Sequence, residues 1–216
     1  MEILGLVAIL LPLVPVFIIF ISKAYKQDQL ALLMVFCLVS VIQNLILYIP
    51  KTASVDVFFV RAVFQLAHFI ILMILLEMVV QGRWFKEGIK ILLVSFVSVV
   101  ITIYIFEGIS RYLPAIEVFQ SLMLILITLT AVLQLIRSHD IHIFLSPMFW
   151  VTGGTFFYYS MFFLTQSIPD YILIIRGEPQ QKKLLLLIIT LVQFAFYTVA
   201  AKVAGDKNED DAAGTY

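Results

Sequence analysis

Seven apolar stretches of about twenty residues each, separated by short polar breaks, fill most of this chain. A helix of about twenty residues crosses the roughly 30 Å hydrocarbon core of a bilayer. The strands of a membrane barrel are about half as long and alternate apolar with polar residues, and runs such as Leu184–Leu191 show no such alternation. The sequence therefore predicts an all-α, polytopic membrane protein, a bundle of seven transmembrane helices.

The predicted helices cover nearly the whole chain. They lie at residues 3–22, 29–49, 56–80, 88–107, 113–136, 144–166 and 183–203. Pro12 and Pro15 are expected to kink the first helix, because proline removes a backbone donor. Residues 1–204 form the predicted transmembrane domain, and the acidic stretch 205–216 has the composition of a disordered tail. The long connection 167–183 is expected to lie on the membrane surface, to cover the bundle as a lid, or to be a plain linker.

The distribution of Lys and Arg over the short loops predicts the orientation. One set of loops holds Lys23, Lys26, Arg83, Lys86, Lys90 and Arg137, and the alternate set holds Lys51 and Arg111. Because cytoplasmic loops are enriched in basic residues, the N-terminus is predicted outside and the C-terminus in the cytoplasm. The sixth connection, with Arg176, Lys182 and Lys183, runs against this assignment.

Composition excludes several function classes. Hydrophobic residues make up 62% of the chain, which leaves no room between the predicted spans for a soluble catalytic module. The 14 basic and 14 acidic residues balance, so no basic surface indicates nucleic-acid binding. The single cysteine, Cys37, excludes an internal disulfide and is expected to be a packed thiol. The predicted environment is therefore the lipid bilayer, with no nucleic-acid partner.

Polar side chains inside the predicted spans carry the functional information. Arg61, Gln65 and His68 are spaced by four and three residues, which places them on one face of the third helix. Glu117 on the fifth helix lies at a depth similar to that of Arg61, so an ion pair between them is geometrically reasonable, and Gln120 is adjacent. Further polar residues occur on the second, sixth and seventh helices: Asn44, Tyr158 and Gln193. Most of these residues lie in the predicted outer half of the membrane.

Two interpretations compete for these residues. An unpaired ionisable group inside a bilayer costs at least about 2.5 kcal/mol. Arg61 and Glu117 could neutralise each other while the amides merely tie helices together, at about 0.6 kcal/mol per hydrogen bond. One ion pair leaves the other polar residues unexplained, so the sequence favours an outward-facing cavity that binds a small polar or amphiphilic molecule. Its predicted ligand-binding residues are Asn44, Arg61, Gln65, His68, Glu117, Gln120, Tyr158 and Gln193.

No metal, cofactor or catalytic motif is complete in the sequence. His139 and His142 share a short loop and are more typical of solvated side chains than of a zinc site. Lys202 lies at the inner end of the last helix, whereas a retinal Schiff base needs a lysine near the middle. Glu117 or His68 could act as a general base in an intramembrane lipid hydrolase, but the sequence places no nucleophile or second carboxylate beside either. No metal or cofactor is predicted, and an enzyme stays an open alternative.

The sixth predicted helix has a distinctive sequence. It reads Ser146-Pro147-Met148-Phe149-Trp150-Val151-Thr152-Gly153-Gly154, followed by Phe156-Phe157-Tyr158-Tyr159-Ser160 and Phe162-Phe163. This pattern resembles a group of uncharacterised seven-helix membrane proteins found mainly in Bacteroidetes-type bacteria, and Phe64–Phe69 is similar to the corresponding third-helix segment of that group. The resemblance implies a multi-pass protein of the bacterial inner membrane and supplies no established activity.

The leading hypothesis is a receptor-like or sensory membrane protein. It would bind its ligand from the outside and pass a signal to a cytoplasmic or membrane partner, with the basic loops 83–90 and 137–142 as contact surfaces. The main alternative is a small-solute transporter of three-plus-one-plus-three architecture, which the size and predicted orientation also fit. Against it, Pro12 and Pro15 have no clear counterpart in the predicted fifth helix. The two hypotheses differ in whether the ligand crosses the bilayer.

Overall fold

The computed structural model describes residues 9–48, 57–106, 108–138, 143–167 and 179–213, and these residues contain helices and no strand. The α-helices are α1 Leu13–Ile21, α2 Asp28–Tyr48, α3 Val57–Val79, α4 Arg83–Phe106, α5 Ile109–Ser138, α6 Pro147–Ser167 and α7 Pro179–Ala213. Two 3-10 turns, Ala24–Lys26 and Ile143–Leu145, precede α2 and α6. The prediction of an all-helical fold is confirmed for this part of the chain.

Five of these helices, α2, α3, α4, α5 and α7, are long and apolar enough to cross a membrane. α6 is 21 residues long, but its Gly, Thr, Tyr and Ser residues lower its hydropathy. α1 has nine residues and follows a turn at residues 11 and 12. The architecture is therefore that of a helical membrane protein, and the number of seven crossings stays a prediction.

The break before α1 lies at Pro12. Residues 9 and 10 are helical, residues 11 and 12 form a turn, and α1 begins at Leu13. Pro15 lies in the first turn of α1, where backbone N–H groups have no intrahelical acceptor and a proline costs little. The helix is interrupted at the first of the two prolines, Pro12, which itself has right-handed helical φ and ψ angles, and a kink of the helix axis stays a prediction.

Several helices extend beyond their apolar segments. α4 begins at Arg83, before the predicted residue 88, and α5 begins at Ile109, which places Pro114 inside the helix. α7 continues to Ala213, so helix occupies most of the segment predicted as a disordered tail. Gly, Asp and Asn make up five of the nine residues 205–213 and have low helix propensity, so this segment is helical as the continuation of a helix that the bundle has already nucleated.

Two other predictions concern residues that lie outside the described ranges. Most of the connection predicted as a surface segment or lid, residues 168–178, belongs to them. So do His139 and His142 of the loop that follows α5.

Six helices pack in a ring in the order α1, α2, α3, α5, α6 and α7, and α7 closes the ring against α1. The most extensive packing joins α6 to α7 and α5 to α6. α3 also packs directly on α5, so α4 lies outside the ring against these two helices. Apolar side chains such as Ile91, Val94 and Ile105 are exposed along α4. In a bilayer this exposed surface of α4 would face lipid.

The apolar core occupies the half of the bundle towards the Val79 end of α3. Phe69, Leu72 and Leu76 of α3 are fully buried there, as are Leu124 of α5 and Tyr197 of α7. Arg61, Gln65 and His68 precede these residues on α3, in the other half of the bundle. Along α3, the polar residues and the fully buried apolar residues are therefore separated.

Candidate functional site: a polar cavity among five helices

The residues that the sequence singles out converge on one cavity of about 250 Å3. All eight line it: Asn44, Arg61, Gln65, His68, Glu117, Gln120, Tyr158 and Gln193. The walls come from α2, α3, α5, α6 and α7. The structure brings these side chains together, and their role in ligand binding stays a prediction.

Eight further residues complete the walls, and four of them lie three or four residues from a predicted one. They are Phe36, Ser40, Gln43, Ser121, Tyr159, Phe162, Thr190 and Phe194. Ser40 precedes Asn44 by four residues, Thr190 precedes Gln193 by three, and Phe162 follows Tyr158 by four. Residues three and four apart lie on one helix face. This spacing already places Ser121 on the face of Glu117 and Thr190 on that of Gln193, and it is the signal that could have identified Ser40 and Phe162.

Arg61 and Glu117 form the predicted ion pair between α3 and α5. Arg61 Nη2 lies 2.7 Å from Glu117 Oε1 and 3.0 Å from Oε2. The Glu117 side chain is 5% exposed and that of Arg61 is 44% exposed. Because Nη2 alone makes both contacts, this is not the two-nitrogen fork of an ideal Arg–carboxylate pair. The carboxylate is buried and neutralised, while the guanidinium keeps an exposed edge.

A second link between α3 and α5 joins two amides. Gln65 Nε2 donates to Gln120 Oε1 over 3.0 Å. The other amide atom of Gln65, Oε1, is buried and has no hydrogen-bond partner. A buried acceptor left without a donor costs about 1–3 kcal/mol. The cavity wall therefore contains an acceptor that a bound molecule or a water could satisfy.

His68 is held against α2 by Ser40. Ser40 Oγ donates to the Phe36 carbonyl over 2.9 Å and lies 2.9 Å from His68 Nε2. Because the single hydroxyl proton points to the carbonyl, the assigned network has Nε2–H donating to Ser40 Oγ. The Phe36 ring centroid lies 4.7 Å from that of the imidazole. The sequence did not predict this Ser–His contact, because a serine in a membrane helix usually bonds only to its own backbone.

A hydrogen-bonded chain continues from the cavity into the core between α6 and α7. Gln193 Nε2 donates to Tyr197 Oη over 2.8 Å, and Tyr197 Oη lies 2.8 Å from Thr155 Oγ1. Thr155 donates its own proton to the Val151 carbonyl, so Tyr197 donates to Thr155. Gln193 at the cavity wall is thereby positioned by a fully buried tyrosine.

Tyr197→Phe is expected to lower the free energy of unfolding by about 1–3 kcal/mol, because it removes the acceptor of the buried Gln193 amide and the donor to the Thr155 oxygen. Thermal unfolding in detergent measures the loss. Thr198→Val is the matched control on the same helix, because Thr198 bonds only to the Phe194 carbonyl one turn away. An unfolding midpoint of Tyr197→Phe equal to that of the control would contradict the network.

Aromatic side chains of α6 form another wall of the cavity. The ring of Tyr158 stacks on that of Phe162 at a centroid distance of 5.9 Å. Tyr158 meets Tyr159 edge to face at 5.0 Å. Stacked and edge-to-face pairs of this kind fix side-chain orientation and add stability beyond the buried area. The cavity therefore has both a rigid aromatic wall and polar walls.

Metal-binding side chains do not gather in the part of the chain that the structure describes. No group of three His, Cys, Asp or Glu residues occurs within it. Cys37 is fully buried in the apolar core next to the cavity residue Phe36. The cavity thus offers hydrogen bonds and a neutral ion pair rather than a ligand set for a metal ion.

No protein-family model, curated protein or solved structure matches this chain. The resemblance to seven-helix proteins of Bacteroidetes-type bacteria therefore stays a prediction. A function must be inferred from the cavity itself.

Proposed function

We propose that this protein is a receptor-like or sensory membrane protein that binds a small polar or amphiphilic molecule in the cavity among α2, α3, α5, α6 and α7. The observation that carries the proposal is that polar side chains from five helices surround an open volume of about 250 Å3. Side chains that only tied helices together would pair directly and leave no such volume, because protein interiors are close-packed.

The proposed orientation has the N-terminus outside, seven crossings, and the cavity open to the outer side of the bacterial inner membrane. The excess of Lys and Arg on the loops of the other side supports it. Two features of the bundle also support a one-sided opening. Arg61 is half exposed at its end of the cavity, whereas Phe69, Leu72 and Leu76 fill the bundle beyond His68.

A receptor of this kind passes its signal through a partner, and the opposite end of the bundle offers a surface for one. A crevice of about 500 Å3 lies there between the starts of α2, α4 and α6 and the ends of α3 and α5. Its walls include Gln29, Gln81, Lys86 and Met148. In the proposed orientation this crevice faces the cytoplasm.

A cysteine at position 43 tests whether the cavity is wet and open to the outside. A thiol reacts as its thiolate, which requires water. Leu45 lies outside the cavity on the exposed surface of α2, which would face lipid in a bilayer. Gln43→Cys is therefore expected to react with a membrane-impermeant methanethiosulfonate at least about tenfold faster than Leu45→Cys. The native Cys37 is buried and supplies the background rate.

The labelling is carried out on intact cells and on inverted vesicles. Reaction of Gln43→Cys from the outer side alone is the expected result. Equal rates at positions 43 and 45 would overturn the water-filled cavity, and reaction only in inverted vesicles would overturn the orientation.

A transporter is the second candidate, and two observations favour it. α4 lies outside the ring between α3 and α5, as a linker between two three-helix units would. α5 begins at Ile109, so Pro114 lies inside it rather than at its boundary; the prolines of the first helix therefore have a counterpart at the start of the second unit, and the expectation that they have none was wrong. Reconstituted vesicles distinguish the two functions, because a receptor binds a solute without changing its internal concentration, whereas a transporter carries it along its gradient.

The Ser40–His68 contact bears on the hydrolase alternative. A serine 2.9 Å from an imidazole nitrogen has the spacing of a nucleophile and its base. Here the hydroxyl proton is directed to the Phe36 carbonyl instead. Among the described residues, the hydrogen bonds of His68 involve Ser40 and no carboxylate that would orient the ring. This geometry supports a structural link between α2 and α3 better than it supports catalysis.

A further inference from the structure

The charge of the cavity wall constrains what the cavity can bind. Arg61 and Glu117 are its formally charged residues among those that the structure describes, and they neutralise each other at 2.7 Å. A cation would have to separate this pair or lie without a counter-ion in a partly buried site, and an anion at the exposed edge of Arg61 would meet a guanidinium whose charge Glu117 already balances. Binding of either ion is unfavourable, because an isolated charge loses its hydration there. The wall is therefore matched to a molecule without net or local charge.

Amides and hydroxyls make up most of the remaining polar wall. Gln43, Gln65, Gln120 and Gln193 contribute amides, which both donate and accept, and Thr190, whose proton is directed to the Leu186 carbonyl, contributes an acceptor. The buried Gln65 Oε1 needs a donor. A ligand that fits such a wall carries several groups that donate and accept at once, which is the property of a hydroxyl group.

Apolar rings and the cavity size complete the description. Phe36, Phe162 and Phe194 contribute rings to the wall, and such rings pack against the C–H faces of a ring-shaped or linear polyol. The volume of about 250 Å3 lies below the roughly 300–1,000 Å3 of sites for drug-sized ligands. The ligand is therefore small.

From these observations we infer that the ligand is a small uncharged molecule rich in hydroxyl groups, of the polyol or sugar class. This inference rests on the proposed function, because it names the chemistry of the molecule bound in the same cavity. Gln65 and Gln120 bind its hydroxyl groups, and the Arg61–Glu117 pair stays intact in the complex.

Scintillation proximity binding on the full chain in lipid nanodiscs tests the inference. The tritiated probes are D-glucose and myo-inositol as uncharged polyols, glycine betaine as a zwitterion, choline as a cation and succinate as an anion. At least one polyol is expected to bind saturably at millimolar concentration and to be displaced by its unlabelled form. The three ionic probes are expected not to bind.

Variants locate the binding. Gln65→Leu is expected to weaken polyol binding at least about tenfold, the equivalent of roughly 1.4 kcal/mol. Thr190→Val, which keeps the side-chain shape, provides a second cavity variant in case Gln65→Leu folds poorly. Ser98→Ala is the matched control, because Ser98 lies exposed on α4 and bonds to the Val94 carbonyl of its own helix. Its polyol affinity is expected to equal that of the wild type.

The possible failures are distinguishable. If only an ionic probe binds saturably, and Thr190→Val abolishes that binding, the inference of an uncharged ligand is wrong. The proposed function, binding of a small molecule in the cavity, would then still stand. Polyol binding unchanged by both cavity variants would place the ligand elsewhere and overturn the inference. If neither polyol binds, the inference is wrong, and the thiol reactivity of Gln43→Cys decides whether the proposed function fails with it.

Discussion

Arg61→Ala is expected to lower the free energy of unfolding by about 3 kcal/mol, the lower end of the cost of breaking a buried ion pair. The variant leaves the Glu117 carboxylate, only 5% exposed, without its partner 2.7 Å away. The lower end applies because Arg61 is half exposed and its interaction is partly screened. Thermal unfolding in detergent, followed by the fluorescence of the two tryptophans, measures the change.

The opposite variant is expected to be milder. Glu117→Gln leaves an arginine that is already 44% exposed and can turn to water. The double variant Arg61→Ala/Glu117→Gln should regain part of the stability lost in Arg61→Ala, because it removes the stranded charge. A double-mutant cycle measures this coupling. If the loss of unfolding free energy in the double variant equals the sum of the losses in the two single variants, the two side chains do not stabilise each other.

Gly154→Ala is expected to destabilise the protein by about 1–3 kcal/mol, the usual cost of overpacking a core. A Cβ at position 154 would lie 2.7 Å from Phe196 Cβ and 3.2 Å from its Cγ. Phe196 Cβ is attached to the backbone of α7, so α6 and α7 would have to separate. Because Tyr197 bonds to Thr155 in the same interface, the shift would also disturb the support of the cavity wall.

Gly153→Ala is the matched control for this prediction. A Cβ at position 153 would meet Phe196 Cε1 at 3.6 Å, an ordinary van der Waals contact. Because alanine has the higher helix propensity, by about 0.8–1.0 kcal/mol in a helix interior, Gly153→Ala is expected to be neutral or stabilising. Unfolding midpoints in detergent compare the two variants. Equal effects at the two positions would contradict the close approach of α6 and α7 at Gly154.

The polar cavity could be predicted because the bilayer makes polar residues informative. Arg61 and Glu117 are costly inside a membrane unless paired, so their similar depth on two helices predicts their contact. The spacing of Gln65 and His68 from Arg61 predicts a shared face. The ion pair and the common location of the eight residues are both found in the structure.

Other features left little trace in the sequence. Hydropathy reports immersion in lipid and not helix length, so the polar start of α4 at Arg83 and the end of α7 at Ala213 were not predicted. The position of α4 outside the ring depends on packing between α3 and α5, which apolar surfaces alone do not specify, because lipid is as apolar as a leucine side chain. The contact between Ser40 and His68 depends on the relative rotation of two helices, which a single sequence does not encode in a recognisable pattern.

The most direct test of the central claim is a high-resolution structure of the chain in a lipid nanodisc, examined for density in the cavity among α2, α3, α5, α6 and α7. The predicted result is ordered water or a small molecule in contact with Gln65 and Gln120, with Arg61 still paired to Glu117. A dry seam in which the side chains of the five helices fill the volume would contradict the proposed binding site and leave these residues with a structural role.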